Sequence, residues 1–115
     1  MTDAIDRVFA VSSDIRYVAL YRNGALELHQ RPGLENASSS ESDKYEELMV
    51  NPTLLKLATQ RGNIDCGGLR GLAVAYGNFL QLVIPIRGGH LSVCFESGSD
   101  PLAYIDQLAG MFDEQ

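Results

Sequence analysis

The sequence contains few of the residues from which disulfide frameworks and metal sites are built. Two cysteines and two histidines occur among its 115 residues. Two cysteines are too few for a disulfide framework, so we expect Cys66 and Cys94 to be reduced thiols. A metal site needs three or four ligands at fixed spacing, and neither His29 nor His90 has neighbouring ligands of that kind. The sequence therefore predicts no metal, no cofactor and two histidines at the protein surface.

Positive charge is also scarce. The chain has 9 Lys and Arg residues against 15 Asp and Glu residues, which gives a formal net charge of −6 at pH 7. Nucleic-acid phosphates and anionic lipids are bound by clustered Lys and Arg. This charge balance therefore argues against nucleic acid and against a lipid surface as partners.

Long apolar runs are missing as well. The longest covers residues 79–86, far short of the roughly 18 residues that a membrane span needs. Residues 1–6 have neither the basic start nor the apolar core of a secretion signal. We therefore expect a cytoplasmic protein with no membrane insertion.

Apolar residues are nevertheless frequent enough to build a core. Hydrophobic residues make up 45% of the chain and charged residues 21%, which is the composition of a globular protein and not of a disordered one. A length of 115 residues fits one domain. We therefore treat residues 1–115 as a single domain.

The beginning of the chain predicts a helix followed by a hairpin. Apolar residues at helical spacing indicate a helix over residues 3–12, with Thr2 or Asp3 as its cap. Strand-like runs over residues 16–22 and 25–31 flank Asn23-Gly24. Both residues of this pair tolerate the positive φ that a tight hairpin turn requires.

A polar loop over residues 33–42 separates the hairpin from a second helix, predicted over residues 43–61. Proline disfavours the helical conformation of the residue before it but suits the first position of a new helix. We therefore expect a kink or break at Asn51-Pro52. Gly62-Asn63 is expected to end the helix.

The second half of the chain predicts three antiparallel strands, over residues 69–76, 79–86 and 90–96, joined by glycine-containing turns. Asp100-Pro101 then starts a last helix, and the acidic tail 113–115 is expected to be solvated. The inner stripe of the last helix is predicted to consist of Leu102, Ile105, Leu108, Ala109 and Phe112. The element order is helix, two strands, helix, three strands, helix, and it predicts an α+β fold with a five-stranded antiparallel sheet and helices on both faces.

This order resembles the roadblock family of dynein light chains and their bacterial relatives, within the profilin-like and longin-like folds. The resemblance is carried by three segments: GLRGLAV at 68–74, GNFLQLVIPI at 77–86 and GGHLSV at 88–93. It implies a non-enzymatic homodimer that scaffolds or regulates a small Ras-like GTPase. It also implies that the strand over residues 69–76 lies at the sheet edge and pairs with its copy.

The residues themselves support this interface. An exposed edge strand normally carries Lys, Pro or an inward charge that blocks pairing, and after Arg70 the strand has none of these. We expect small Ala73 and Ala75 to let the long helices of two chains approach closely. The predicted interface consists of Leu72, Ala73, Val74, Ala75, Tyr76, Leu54, Leu55 and Ala58.

Other residues that could carry chemistry have simpler explanations. A nucleophile at Cys66 is supported by residue type alone. The glycine-rich segment 67–71 precedes a strand, whereas a phosphate cradle opens a helix. Asp43, Glu46 and Glu47 stand near a helix start, where acidic residues complement the helix dipole. The sequence therefore predicts no catalytic residue.

A small-ligand sensor, or an accessory subunit of an enzyme, is the alternative function. Profilin-like sheets resemble those of ligand-binding sensory domains, and a sensor needs an internal pocket lined by small or polar residues. The candidates for that lining are Ala19, Ala73, Ala75, Tyr76 and Ser92.

Overall fold

A computed structural model describes residues 3–112, so the predicted cap Thr2 and the predicted solvated tail 113–115 lie outside the described residues. The elements in chain order are α1 (Asp3–Phe9), β1 (Ile15–Arg22), β2 (Ala25–Gln30), α2 (Ser40–Tyr45), a π-helical segment (Glu46–Val50), α3 (Asn51–Asp65), β3 (Leu72–Ala75), β4 (Leu80–Ile86), β5 (Gly89–Phe95), a 3-10 turn (Pro101–Tyr104) and α4 (Ile105–Gly110). The helical residues 40–65 are continuous and are called the long helix below.

Within residues 3–112, the strands form one five-stranded antiparallel sheet in the order β2-β1-β5-β4-β3. The predicted α+β fold is confirmed. The hairpin between β1 and β2 turns at Asn23 and Gly24, whose φ angles are 53° and 84°. Positive φ at both positions is what the Asn-Gly pair predicts.

The main core lies between one face of the sheet and the helices α1 and α4. Alternate residues of β1, β4 and β5 face these helices, because successive side chains of a strand point to opposite sides. The fully or almost fully buried side chains here are Ile5, Val8, Ile15, Val18, Leu20, Leu82, Ile84, Leu91, Val93, Phe95, Ile105, Leu108 and Phe112.

The opposite face of the sheet is smaller and more polar. Tyr17, Ala19 and Cys94 form a buried cluster there. Gln81 and Val83 of β4 are also buried, although Leu82 and Ile84 between and beyond them belong to the main core. β4 is therefore covered on both faces.

The predicted break at Asn51-Pro52 is wrong. Val50 and Asn51 both have helical backbone angles, and the N–H of Asn51 donates to the carbonyl of Glu46, five residues back. Pro52 has no N–H, and in a regular helix its ring would clash with the carbonyl four residues before it. A wider π turn relieves that clash without ending the helix.

The long helix is also longer than expected at both ends. It begins at Ser40, where the hydroxyl of Ser39 accepts the N–H of Ser42, so the preceding loop is shorter than residues 33–42. It continues past Gly62 to Asp65. Gly62 lies inside the helix, where the absence of a side chain permits close packing. A Cβ there would lie 3.1 Å from the carbonyl carbon of Gly68.

The remaining differences concern element ends. The first helix stops at Phe9 instead of residue 12, and β3 covers Leu72–Ala75 instead of residues 69–76. Leu102 is exposed, so its place in the inner stripe of the last helix is wrong. The helix opens with a 3-10 turn, and its tighter winding rotates the first residues away from the stripe that continues through Ile105 and Leu108.

Candidate functional site

The first candidate surface is the sheet edge formed by β3. Within residues 3–112, β3 pairs with β4 alone, so its other side presents unpaired backbone groups. The predicted edge position of this strand is therefore what the structure has. Ala73 and Ala75 are exposed, and Leu72 and Val74 are half-buried.

The register of β3 corrects the role given to its alanines. Ala73 pairs with Leu82, and Ala75 pairs with Leu80. Paired residues of adjacent antiparallel strands point to the same face, and Leu82 belongs to the core under α1 and α4. The alanines therefore face away from the long helix, and they cannot set how closely two long helices approach. Leu72 and Val74 face the long helix.

The long helix carries the other predicted interface residues. Leu54 and Ala58 are half-buried, whereas Leu55 is only 8% exposed and belongs to the interior of the single chain. The exposed apolar side chains of this helix lie at other positions, which are not among the predicted interface residues. They are Tyr45, Leu48, Met49, Leu57 and Ile64.

The second candidate site is a cavity of about 330 Å³ between the long helix and the sheet. Its floor is one row of side chains across four strands: Gln81 pairs with Cys94, Cys94 with Tyr17, and Tyr17 with Gln30. The first turns of the long helix form the opposite wall of the cavity, with Asp43, Glu46 and Glu47. This cavity is called the acidic cavity below.

Glu47 lies at the centre of a buried hydrogen-bond network. Its carboxylate accepts hydrogen bonds from the hydroxyl of Tyr17 at 2.7 Å, from Nε2 of His90 at 2.8 Å and from Nδ2 of Asn51 at 3.0 Å. Glu47 is fully buried, and three donors compensate for the loss of water around its charge. Burial, and then the charge of Glu47, raise the pKa of Tyr17, so the phenol keeps the proton that it donates.

His90 and Glu47 therefore differ from the expectations for them. His90 is buried, stacks on Tyr21 with ring centroids 5.7 Å apart, and is not a surface histidine. Glu47 and Asp43 do not serve the helix dipole in solvent; both are buried and hydrogen-bonded. His29 does lie at the surface, as predicted, with Nε2 3.8 Å from a Glu27 carboxylate oxygen.

Asp43 and Glu46 complete the acidic side of the cavity. Asp43 accepts hydrogen bonds from Nε2 of Gln30, at 2.9 Å, and from the hydroxyl of Ser38. Glu46 accepts one from the hydroxyl of Tyr76, at 2.9 Å. Burial raises the pKa of Glu46, and its neighbours Glu47 and Asp43 add to that effect. Burial and the bond to Glu46 raise the pKa of Tyr76 to about 12.

Gln81 on the floor of the cavity is incompletely paired. Its Nε2 donates to the hydroxyl of Ser92 at 2.9 Å, whereas its Oε1 accepts no hydrogen bond from any of residues 3–112. The side chain is 1% exposed. Buried polar atoms are paired in the great majority of cases, so this oxygen is an acceptor of the cavity lining that lacks a hydrogen-bond donor.

Few of the residues proposed from sequence for a ligand pocket line this cavity. Tyr76 lines it. Ala19 and Ser92 occupy the next row of the sheet, where Ser92 holds Gln81. Ala73 and Ala75 face the other side. The sequence signal that was available is the polar Gln81 within an apolar strand.

Neither cysteine is arranged for nucleophilic chemistry. Cys94 is buried, and burial together with Glu47 and Asp43 raises the pKa of its thiol well above the ordinary value. A reactive cysteine needs the opposite shift, towards the thiolate. Cys66 is exposed, and its thiol contacts a carboxylate oxygen of Asp65 at 3.4 Å.

We expect Glu47→Gln to destabilise the protein by about 1–3 kcal/mol, because one acceptor oxygen becomes an NH2 group and at least one buried donor loses its partner. Chemical denaturation followed by circular dichroism measures the change. Glu41→Gln is the matched control, since Glu41 is exposed on α2 and should change stability by less than about 0.5 kcal/mol. Equal midpoints for the two variants would contradict the buried network.

The described part of the chain, residues 3–112, contains no group of three His, Cys, Asp or Glu side chains placed to hold a metal ion. None of its helices is both long and apolar enough to cross a bilayer. Comparison of the sequence with protein-family models and with curated proteins gave no match.

Proposed function

We propose that the protein is a cytoplasmic, non-enzymatic interaction module that forms a homodimer through β3. The observation that carries the proposal is the unprotected edge of this strand. Natural edge strands are blocked by Lys, Pro, bulges or inward charges, and Leu72–Ala75 has no such residue. Arg70 precedes the strand and points its guanidinium to Asp106, at 3.6 Å.

A second copy of the same strand fits this edge. Antiparallel pairing of β3 with its copy is self-complementary, so one two-fold axis satisfies both chains. The axis lies perpendicular to the sheet and places both long helices on the same side of the joined sheet. Exposed apolar side chains along these helices, such as Leu57 and Met49, supply surface that gains from burial.

The non-enzymatic part of the proposal is supported by the surroundings of the buried ionisable groups. The most strongly buried carboxylate, Glu47, already accepts three hydrogen bonds within the fold, and the buried Cys94 holds its proton. Both are better explained as structural groups. The resemblance to roadblock domains adds a small Ras-like GTPase as a further partner of the dimer.

The dimer is tested by light scattering at micromolar concentration. The expected wild-type mass is twice the chain mass of 12.6 kDa. The N–H of Tyr76 donates to the carbonyl of Phe79 on the β4 side, and N–H groups alternate sides along a strand, so the N–H of Ala75 faces the open edge. Ala75→Pro removes that N–H and Ala73→Lys adds charge at the edge, so both variants are expected to be monomers. Ala25→Lys is the matched control, because Ala25 is an exposed alanine on β2 at the opposite edge and should leave the dimer intact.

Two outcomes would count against the proposal. A wild-type mass of one chain contradicts homodimer formation. A dimer that survives both β3 substitutions is held by a different surface, and β3 is then not the interface.

A further inference from the structure

The geometry points to the acidic cavity as a binding site for a small organic cation, an ammonium or guanidinium with an apolar or aromatic body. The volume of about 330 Å³ lies at the lower end of the roughly 300–1,000 Å³ of small-molecule sites. It therefore suits a metabolite of modest size.

The unpaired oxygen of Gln81 indicates that the ligand is a hydrogen-bond donor. Oε1 is an amide oxygen, which accepts and cannot donate. Leaving it buried without a partner costs free energy that a donor from a ligand would recover. The other half of the same amide is held by Ser92, so the oxygen is already oriented.

The charge around the cavity indicates that the donor is cationic. Three carboxyl groups, from Asp43, Glu46 and Glu47, line it within little more than one helical turn. The one cationic side chain in the lining, Arg16, is engaged elsewhere: it donates to Glu96 and to the carbonyl of Glu35, both at 2.9 Å. The local field therefore favours a positive ligand.

The remaining wall indicates an apolar or aromatic body. Phe79 and Tyr76 line the cavity with ring centroids 5.4 Å apart. Aromatic faces attract cations and pack against flat apolar groups. The guanidinium of Arg16 lies 5.8 Å from the centroid of Phe79, within the distance at which a cation is attracted to an aromatic face.

The test is a titration of the full chain with three cations, phenethylamine, tyramine and agmatine, followed by thermal shift and by amide NMR. Two compounds of matched size serve as chemical controls: neutral 2-phenylethanol and anionic 3-phenylpropanoate. At least one cation is expected to bind at millimolar concentration or below and to raise the melting temperature by a few degrees. The neutral compound should bind at least tenfold more weakly, and the anion should not bind.

Two substitutions locate the site. Gln81→Leu removes the unpaired oxygen at similar size and should weaken cation binding tenfold or more. Gln107→Leu makes the same change on an exposed face of α4 and should leave binding unchanged. Glu46→Gln, at a half-buried position, removes one charge without removing the acceptor for Tyr76, so it reports on the cavity even if Gln81→Leu fails to fold.

The proposal is overturned if none of the three cations binds. It is also overturned if the anion binds as well as the cations do. Binding that is unchanged by Gln81→Leu and by Glu46→Gln would place the ligand outside the acidic cavity.

Discussion

Leu82→Asp is expected to unfold the protein. Leu82 is 0% exposed in the middle of β4, in register with Val93 on one side and Ala73 on the other. Its face of the sheet holds the apolar core beneath α1 and α4, where no cation is available to pair with a carboxylate among the core residues. Burying an unpaired carboxylate there costs several kcal/mol, a large part of the about 5–15 kcal/mol that stabilises a typical domain.

The matched substitution for this prediction is Glu27→Ala. Glu27 lies half-buried on the edge strand β2, and its only ion pair is with His29 at 3.8 Å among residues 3–112. Such surface pairs contribute about 0–1 kcal/mol. Thermal unfolding followed by circular dichroism should show a folded Glu27→Ala protein and no cooperative transition for Leu82→Asp. Similar melting temperatures for the two proteins would show that the core faces of β4 and β2 are wrongly assigned.

Gly89→Ala is expected to have the next largest effect. Gly89 begins β5 opposite Arg22, and a Cβ at this position would lie 1.7 Å from the carbonyl oxygen of Tyr21. The obstacle is backbone of the neighbouring central strand, so no side-chain rotation relieves it. The two strands must separate at this end of the sheet, at a cost of about 3 kcal/mol.

A loss of this size lowers the melting temperature by roughly 10–20 °C in a domain of this length. Gly98→Ala is the control, because a Cβ at Gly98 meets nothing within 4 Å, and it should leave the melting temperature almost unchanged. A Gly89→Ala protein as stable as the Gly98→Ala protein would show that β1 and β5 do not approach so closely.

Local sequence was sufficient for most of the fold. Asn23-Gly24 predicts the first hairpin because both residues adopt positive φ, and the structure has them at 53° and 84°. The three glycine-bounded runs in the second half predict the β3-β4-β5 meander by their alternating or continuous apolar pattern. These signals are local, and short-range preference and long-range packing agree at these positions.

The failures at the long helix come from a competition that is not visible in local sequence. Asn51-Pro52 carries the residues of a helix start, yet the helix continues through these residues by way of the π turn at Glu46–Val50. The exposed apolar residues Leu48 and Met49 of this helix are not among the predicted interface residues. A proline signal gives a local preference of limited size, and tertiary packing outweighed it.

The acidic cavity was the least predictable feature. Glu47 and Asp43 stand where acidic residues usually interact with the helix dipole in solvent, and His90 follows a glycine turn as a surface histidine would. Only the folded chain brings Tyr17, Glu47 and His90 together across 30 and 43 residues of sequence. Sequence separation contains no information about such contacts unless the sheet order is known.

The amino-acid sequence by itself therefore determined the α+β class, the strand order along the chain, the hairpin and the edge strand without blocking residues. Those features depend on alternation, turn chemistry and composition, which are properties of neighbouring residues. Tertiary structure alone decided which side chains of β3 face the long helix, where Gln81 lies and which carboxylates are buried. Those features depend on register and on burial, because a shift of one residue in a strand moves a side chain to the opposite face.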